Sequence, residues 1–218
     1  MQEAVINING NSIQTLELIF LMTGISLLPF ALLMMTCFTR IIIVLSFARS
    51  AMGVQAAPPN SVLIGLALFL TLFVMSPVVT EITETAYVPY RNEEITQQEA
   101  LQRGILPLKE FMLRQTEQNT LAMFQDFSGT ETPENVQDLP LSVVVPAFAT
   151  TELKRALIMG FLIYIPFLLI DVVVASTLMS MGMIMLPPAT ISLPFKLLLF
   201  ITVNGWELLF STLVQSFN

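Results

Sequence analysis

Methionine side chains recur at every second position of one short stretch; they are Met179, Met181, Met183 and Met185. The thioether is soft, flexible and apolar, so it suits contact with many different surfaces better than acid–base chemistry. On a helix this spacing would scatter the side chains over opposite faces. On an extended backbone it places all four on one side.

The stretch that carries these methionines, residues 179–200, also contains residues that disfavour a continuous helix. They are Gly182, Pro187, Pro188 and Pro194. An irregular loop is therefore predicted between two apolar segments. Irregular backbone at membrane depth is tolerated only where protein buries it or where it lines a cavity. We interpret Met181, Met183 and Met185 as the lining of a pore.

Several charged side chains lie in or beside the apolar segments, among them Glu152, Asp171, Lys196 and Glu207. A charge at the centre of a spanning helix costs about 2.5–3.5 kcal/mol on insertion scales, so such residues usually face a partner or a cavity. We expect Lys196 to pair with Asp171 or Glu152, within the chain or on a neighbouring copy. Registry between subunits is the favoured role, and a proton relay is the alternative. Arg40 either joins such a pair or extends to the cytoplasmic interface.

Composition excludes most enzyme chemistry. The chain is 55% hydrophobic and 11% charged, whereas soluble domains carry roughly 25% charged residues. Histidine is absent and Cys37 is the only cysteine, so no catalytic residue, metal site or cofactor is expected. The net charge of −7 argues against nucleic-acid binding. No basic region precedes the first apolar run, so either no cleaved signal peptide exists or the chain begins after it.

The N-terminal half divides into a polar segment, residues 1–12, and hydrophobic helices over residues 13–79. No regular structure is predicted for the polar segment. Residues 13–47 exceed the ~20 residues of one bilayer crossing, which predicts a kinked helix or a helical hairpin around Pro29. Residues 61–79 fit one crossing. The link at residues 48–60 contains Arg49 and no acidic residue, which places it in the cytoplasm.

Residues 80–155 form a polar segment in which acidic residues outnumber basic ones. Parity with the cytoplasmic link places this segment in the periplasm. Two helices are predicted, one at residues 97–103 and one that starts near Pro107 and ends near Asp126. Thr150 or Thr151 is a good N-cap for the next apolar helix. Residues 156–218 form the C-terminal hydrophobic helices.

The predicted fold is therefore an all-α integral membrane protein built from broken, kinked helical hairpins. The apolar segments at residues 13–47 and 156–186 exceed what one bilayer crossing buries, and both contain prolines. Other protein must cover them. We expect several copies to assemble into a ring, with a small polar helical segment in the periplasm.

Several long runs together resemble the FliP family of type III secretion export-gate subunits. They are LLMMTCFTRIIIVLSFARSAMG (32–53), APPNSVLIGLALFL (57–70), FMLRQT (111–116), PAFATTELKRA (146–156) and MGMIMLPPATISLPFKLLLF (181–200). The unbroken APPN and LLMMTCFTR runs are more similar to the flagellar branch than to the virulence branch.

This resemblance implies an all-helical subunit of a hetero-oligomer in the bacterial inner membrane, at the flagellar basal body. Five copies would enclose a central channel together with FliQ and FliR, with FlhA and FlhB as neighbours. The cargo would be unfolded flagellar export substrates. A methionine-rich loop constricts the channel in the family, and Met181, Met183 and Met185 map onto it. Ile184 departs from the fuller methionine run of other members.

Two other classes of function remain open on the residues alone. A small-solute channel or transporter would also place charges at broken helices, but no inverted repeat is visible. A membrane-embedded hydrolase would need a pair of aspartates, and Asp171 is the only aspartate in the apolar segments. The nature of the cargo, polypeptide or small solute, separates the first alternative from an export gate.

Overall fold

The computed structural model describes residues 5–8, 11–54, 57–129, 135–183 and 185–217. This part of the chain is helical apart from one hairpin, so the all-α prediction is confirmed for everything that follows the hairpin. Strands β1 (Val5–Ile8) and β2 (Asn11–Gln14) pair antiparallel, with Val5 opposite Gln14. No regular structure was predicted there.

Helices α1 (Thr15–Met34) and α2 (Phe38–Ala51) meet at a bend of 68°. The predicted break at Pro29 is wrong, because Pro29 lies inside α1. Thr36 marks the actual break: its hydroxyl donates to the Leu33 carbonyl (2.9 Å) and accepts from the Phe38 N–H (3.3 Å). A hydroxyl that satisfies backbone groups in this way competes with the helical hydrogen bonds.

Two long rods dominate the fold. The first comprises α3 (Asn60–Ile82), a π-helical turn (Thr83–Tyr87) and α4 (Val88–Arg91), which form one rod of 32 residues. The second is α7 (Leu141–Ser180), with 40 residues. At 1.5 Å per residue they measure about 48 and 60 Å, well beyond the ~30 Å hydrocarbon core of a bilayer.

The polar segment contains α5 (Gln97–Gln115), α6 (Gln118–Ser128) and a 3-10 turn (Val136–Asp138). The predicted helix start at residue 97 is confirmed, and a capping box between Thr96 and Glu99 fixes it. The predicted start of a second helix near Pro107 is wrong, because Pro107 is buried inside α5 and the next helix begins at Gln118.

The start of α7 also differs from the prediction. The helix begins after Pro140, whose extended backbone (ψ 150°) precedes the first turn. Thr151 lies inside the helix and is fully buried. Its hydroxyl donates to the Ala147 carbonyl (2.9 Å) and accepts from the Glu117 N–H (3.3 Å). Thr151 therefore connects α7 to the start of α6 and caps no helix.

The C-terminal segment contains α8 (Pro188–Thr202) and α9 (Gly205–Gln215), which meet at a bend of 61°. Asn204 makes the bend with a left-handed backbone (φ 52°). Among the described residues, two helices are long and apolar enough to cross a membrane, or up to four if each bent pair counts as one span.

The core lies around α2, which packs against α7 and α3. Ile41, Val44, Leu45 and Ala48 of α2 are completely buried, at the i, i+3, i+4, i+7 spacing of one helix face. Large apolar side chains nevertheless cover much of the outer surface, for example Phe20 of α1, which is 77% exposed. A single chain therefore leaves apolar surface for lipid or other protein.

Candidate functional site

The methionine loop, residues 181–187, connects α7 to α8. Its second residue, Gly182, has a left-handed backbone with φ +73°, which a residue with an L side chain would adopt only under strain. The Gly182 N–H donates to the Met179 carbonyl and the Met183 N–H to the Leu178 carbonyl, both at 3.0 Å. These two hydrogen bonds form a Schellman motif, which ends α7 sharply.

The predicted extended alternation of four methionines is wrong. Met179 belongs to α7, and Met181 has the right-handed helical backbone of the C-cap. The thioethers remain accessible on the single chain, with exposed fractions of 67% for Met181, 42% for Met183 and 98% for Met185. A tight turn, rather than an extended strand, thus presents them. Ile184 lies outside the described residues.

The prolines divide into two groups. Pro187 is the N-cap of α8 and Pro188 its first residue, where a missing N–H costs no helical hydrogen bond. Pro194 was predicted to break the chain with them, but it lies inside α8. One lost backbone hydrogen bond does not end a helix whose remaining turns are intact and packed.

Lys196 of α8 and Asp171 of α7 form an ion pair, with Lys196 Nζ 2.6 Å from Asp171 Oδ2. The Ser192 hydroxyl donates to the other carboxylate oxygen, also at 2.6 Å. Ser192 is fully buried and Lys196 is only 5% exposed. Sequence reasoning missed Ser192, although it lies one helical turn before Lys196 on the same face. The three side chains connect α7 to α8 away from the methionine loop, with Asp171 about nine residues before the end of α7.

Glu152, the alternative partner predicted for Lys196, does not pair with it, because Arg40 occupies both carboxylate oxygens of Glu152. Arg40 Nε donates to Glu152 Oε2 at 2.9 Å, and Nη2 donates to Oε1. Arg40 is 1% exposed and Glu152 is completely buried, so the predicted extension of Arg40 to the cytoplasmic interface is also wrong. A guanidinium matches a carboxylate with two parallel hydrogen bonds, which an ammonium cannot make.

The remaining donors of Arg40 connect this pair to two further helices. Nη1 donates to the carbonyl and hydroxyl oxygens of Ser216, each at 2.9 Å, and Nη2 donates to Gln115 Oε1 at 3.2 Å. The guanidinium carbon also lies 3.8 Å from the centre of the Phe217 ring. No sequence signal identified Gln115 or Ser216, since neither stands out by type or spacing.

Within the described part of the chain, no group of three or more His, Cys, Asp or Glu side chains has the arrangement of a metal site. Four charged side chains of the apolar segments are instead joined in two pairs, Arg40 with Glu152 and Lys196 with Asp171. The site therefore consists of two buried ionic contacts and an accessible methionine turn. Such a set can hold helices in register and present a soft apolar surface.

The profile of the FliP family matches residues 21–213. The chain belongs to the FliP family. The match includes the methionine loop, the pair of Asp171 and Lys196, and the pair of Arg40 and Glu152.

Close relatives extend over nearly the whole chain. The flagellar biosynthetic protein FliP of Bacillus subtilis (strain 168) is 53% identical over 207 residues, which cover 95% of this chain and 94% of the relative. The protein of the same name from Pectobacterium carotovorum subsp. carotovorum is 54% identical, with 94% of this chain and 79% of the relative covered. That from Aquifex aeolicus (strain VF5) is 46% identical, with 96% and 88% covered.

Proposed function

We propose that this chain is the pore-forming core subunit of the flagellar type III protein export gate, which passes unfolded flagellar subunits across the bacterial inner membrane. Membership of the FliP family and the flagellar names of its close relatives support the flagellar system over a virulence system. The observation that carries the pore assignment is the methionine loop, an accessible apolar turn that joins two apolar helices.

The physical requirement on such a pore is closure between substrates. A channel that admits an unfolded polypeptide would leak ions when idle, and a ring of apolar side chains blocks ions by dewetting. Unbranched methionine side chains of Met181, Met183 and Met185 can rearrange around any passing residue. The Schellman turn at Gly182 fixes the backbone between Met181 and Met183, while their flexible side chains lie at the surface of the single chain.

The ion pair of Asp171 and Lys196 joins the two helices that this loop connects. About nine residues, or ~13 Å of helix, separate Asp171 from the end of α7. The pair and Ser192 hold α7 and α8 at a fixed angle, so every copy in a ring would project its methionines to the same depth. Asp171, whose side chain is still 30% exposed, is also a candidate for contact with a neighbouring copy.

The assembly proposed for this chain is a ring of five copies, completed by FliQ and FliR and adjoined by FlhA and FlhB. The exposed apolar surfaces of α1 and of the second half of α7 support an obligate assembly, because a monomer would leave them uncovered. A small-solute channel would need selective polar groups in its lining, whereas the described part of the loop consists of methionine, glycine, leucine and proline.

The test is ion conductance across a membrane that contains the assembled complex. The triple change Met181→Ala, Met183→Ala and Met185→Ala removes three flexible side chains per copy and should widen the constriction. We expect ion leakage and slowed growth, with assembly intact and export largely preserved. Met179→Ala is the matched control, since this equally exposed methionine belongs to α7. A triple variant as ion-tight as the parent would disprove the gate.

A further inference from the structure

A polar cavity of about 450 Å³ opens beside the buried pair of Arg40 and Glu152. Its lining includes three guanidinium groups, those of Arg40, Arg114 and Arg155. Arg155 Nη1 donates to Gln115 Oε1 at 3.0 Å, the same oxygen that accepts from Arg40. Two positive charges thus meet around one amide oxygen, and Arg114 lines the same cavity.

The carboxylates near this cavity are already paired with other cations. Both carboxylate oxygens of Glu152 accept from Arg40, and Glu117 pairs with Lys154 at 2.6 Å. Across the described residues, no carboxylate lies within 4.0 Å of the guanidinium groups of Arg114 or Arg155. Among the described residues, the half-buried Arg155 and the exposed Arg114 therefore line the cavity without an ion pair of their own.

An apolar groove of about 410 Å³ continues from this cavity, and Met159 lines both. Side chains of four helices form the groove, among them Val44, Leu162, Phe167 and Leu208. From Arg155 to Phe167 the cavity and the groove together follow α7 for about 18 Å. That length is comparable with the ~15 Å depth of one leaflet, half of the hydrocarbon core.

We propose that the cavity and the groove together bind one anionic phospholipid. Arg114 and Arg155 hold its phosphate, since guanidinium groups bind phosphate with paired, charge-assisted hydrogen bonds. One acyl chain lies in the groove beyond Met159. An acidic side chain of a partner protein would account for the arginines alone, and an apolar side chain of a partner for the groove alone. A lipid accounts for both features.

The first experiment is native mass spectrometry of the full chain, in the assembly in which it is extracted from membranes. The probes are 1-palmitoyl-2-oleoyl phosphatidylglycerol and the corresponding phosphatidylcholine. We expect preferential retention of phosphatidylglycerol, reduced about tenfold by Arg114→Gln with Arg155→Gln, which is the scale of one lost charge-assisted hydrogen bond. Arg91→Gln with Arg103→Gln removes two exposed arginines outside the cavity and should change nothing.

A second pair of variants tests the groove without altering charge. Leu162→Trp fills the groove from a partly exposed position and should reduce phosphatidylglycerol binding, whereas Leu157→Trp lies on α7 outside the groove and should leave it unchanged. A benzophenone side chain at Ile158, which lines the cavity, should then cross-link lipid in cells. Equal retention of the two lipids, unaltered binding in the double arginine variant, or cross-links to protein alone would each overturn the proposal.

Discussion

Arg40 donates all five of its N–H groups to acceptors inside the protein, two of them to Glu152. Five donors in a rigid plane are a property of arginine alone, since lysine has three donors on a flexible stem. The identity of this residue therefore follows from its acceptors, which are the two carboxylate oxygens of Glu152, the amide oxygen of Gln115, and the carbonyl and hydroxyl oxygens of Ser216.

Removing one member of this pair should destabilise the protein far more than replacing both with apolar residues. Glu152→Ala strands a buried guanidinium and is expected to cost about 3–5 kcal/mol, whereas Arg40→Met with Glu152→Leu should recover much of that loss. Thermal unfolding of the purified assembly in mild detergent measures both. Glu117→Ala breaks a partly exposed pair with Lys154 and serves as the control, with an expected cost below about 1 kcal/mol. Equal costs for Glu152→Ala and Glu117→Ala would contradict the buried network.

The sequence predicted the ionic contact of Asp171 with Lys196 but did not identify Arg40 as the partner of Glu152. Asp171 and Lys196 lie on consecutive apolar segments, so chain connectivity alone makes them neighbours. Arg40 and Glu152 lie 112 residues apart, and nothing in either local sequence selects one carboxylate over another. Long-range partners depend on how helices pack, which residue type and spacing do not encode.

At the scale of helices, Gly160 of α7 sets the approach to α2. A methyl group at this position would lie 2.5 Å from the Phe47 ring and 3.0 Å from the Phe47 Cβ. Gly160→Ala should therefore destabilise the protein by about 1–3 kcal/mol, as overpacked cores do. Gly65→Ala is the control, because an added Cβ would meet nothing within 4 Å and helical propensity favours alanine. Thermal unfolding compares the two, and a Gly160→Ala variant as stable as the Gly65→Ala variant would refute this account.

The capping box of α5 predicts that the stability of the first turn of this helix depends on pH. The Glu99 carboxylate accepts from the Thr96 N–H (2.9 Å) and hydroxyl (3.0 Å), which holds the pKa of Glu99 below its usual value. A lowered folded-state pKa means that this stabilisation is present above the ordinary glutamate pKa of ~4.3 and is lost as the pH falls through the folded value. We expect amides of the first turn of α5 to lose hydrogen-exchange protection at acidic pH. Glu99→Gln should abolish that pH dependence, and an identical pH profile in Glu99→Gln would exclude this role.

Helix boundaries were the least predictable elements, and the prolines show why. Pro29, Pro107 and Pro194 each predicted a break or a start, yet all three lie inside helices. A proline removes one hydrogen bond, and packing of the flanking turns outweighs that loss. The true bends fall at Thr36 and Asn204, where a hydroxyl and a left-handed backbone act locally. The methionine turn was located correctly because Gly182, Pro187 and Pro188 end and start helices by backbone geometry alone.

At the scale of the whole molecule, the two ionic contacts mark two depths along α7. Nineteen residues separate Glu152 from Asp171, about 28 Å of helix, which is close to the ~30 Å hydrocarbon core. Gly53, in the link after α2, lies beside Lys196, because a Cβ added to this glycine would be 3.8 Å from Lys196 Nζ. The contact at Asp171 therefore lies at the end of the molecule that contains this link.

This arrangement predicts opposite accessibilities for two positions in intact cells. With Cys37→Ala as background, Ser128→Cys should react with membrane-impermeant thiol probes added outside, once the outer membrane is permeabilised. Ser50→Cys should react only after lysis, because the basic link is predicted to face the cytoplasm. Cys37 is the only cysteine of the chain, so its replacement leaves the introduced cysteine as the only thiol that the probe can label. Protection of Ser128→Cys until lysis would reverse the proposed orientation.

The network of Arg40 also has a consequence for biogenesis. Ser216 lies 176 residues after Arg40, so a ribosome that adds 5–20 residues per second needs roughly 9–35 s between the two. Throughout that interval the guanidinium is already made but lacks two of its acceptors. Ser216, directly after α9, thus completes the network: a nascent chain that has not reached it leaves two donors of Arg40 without these acceptors.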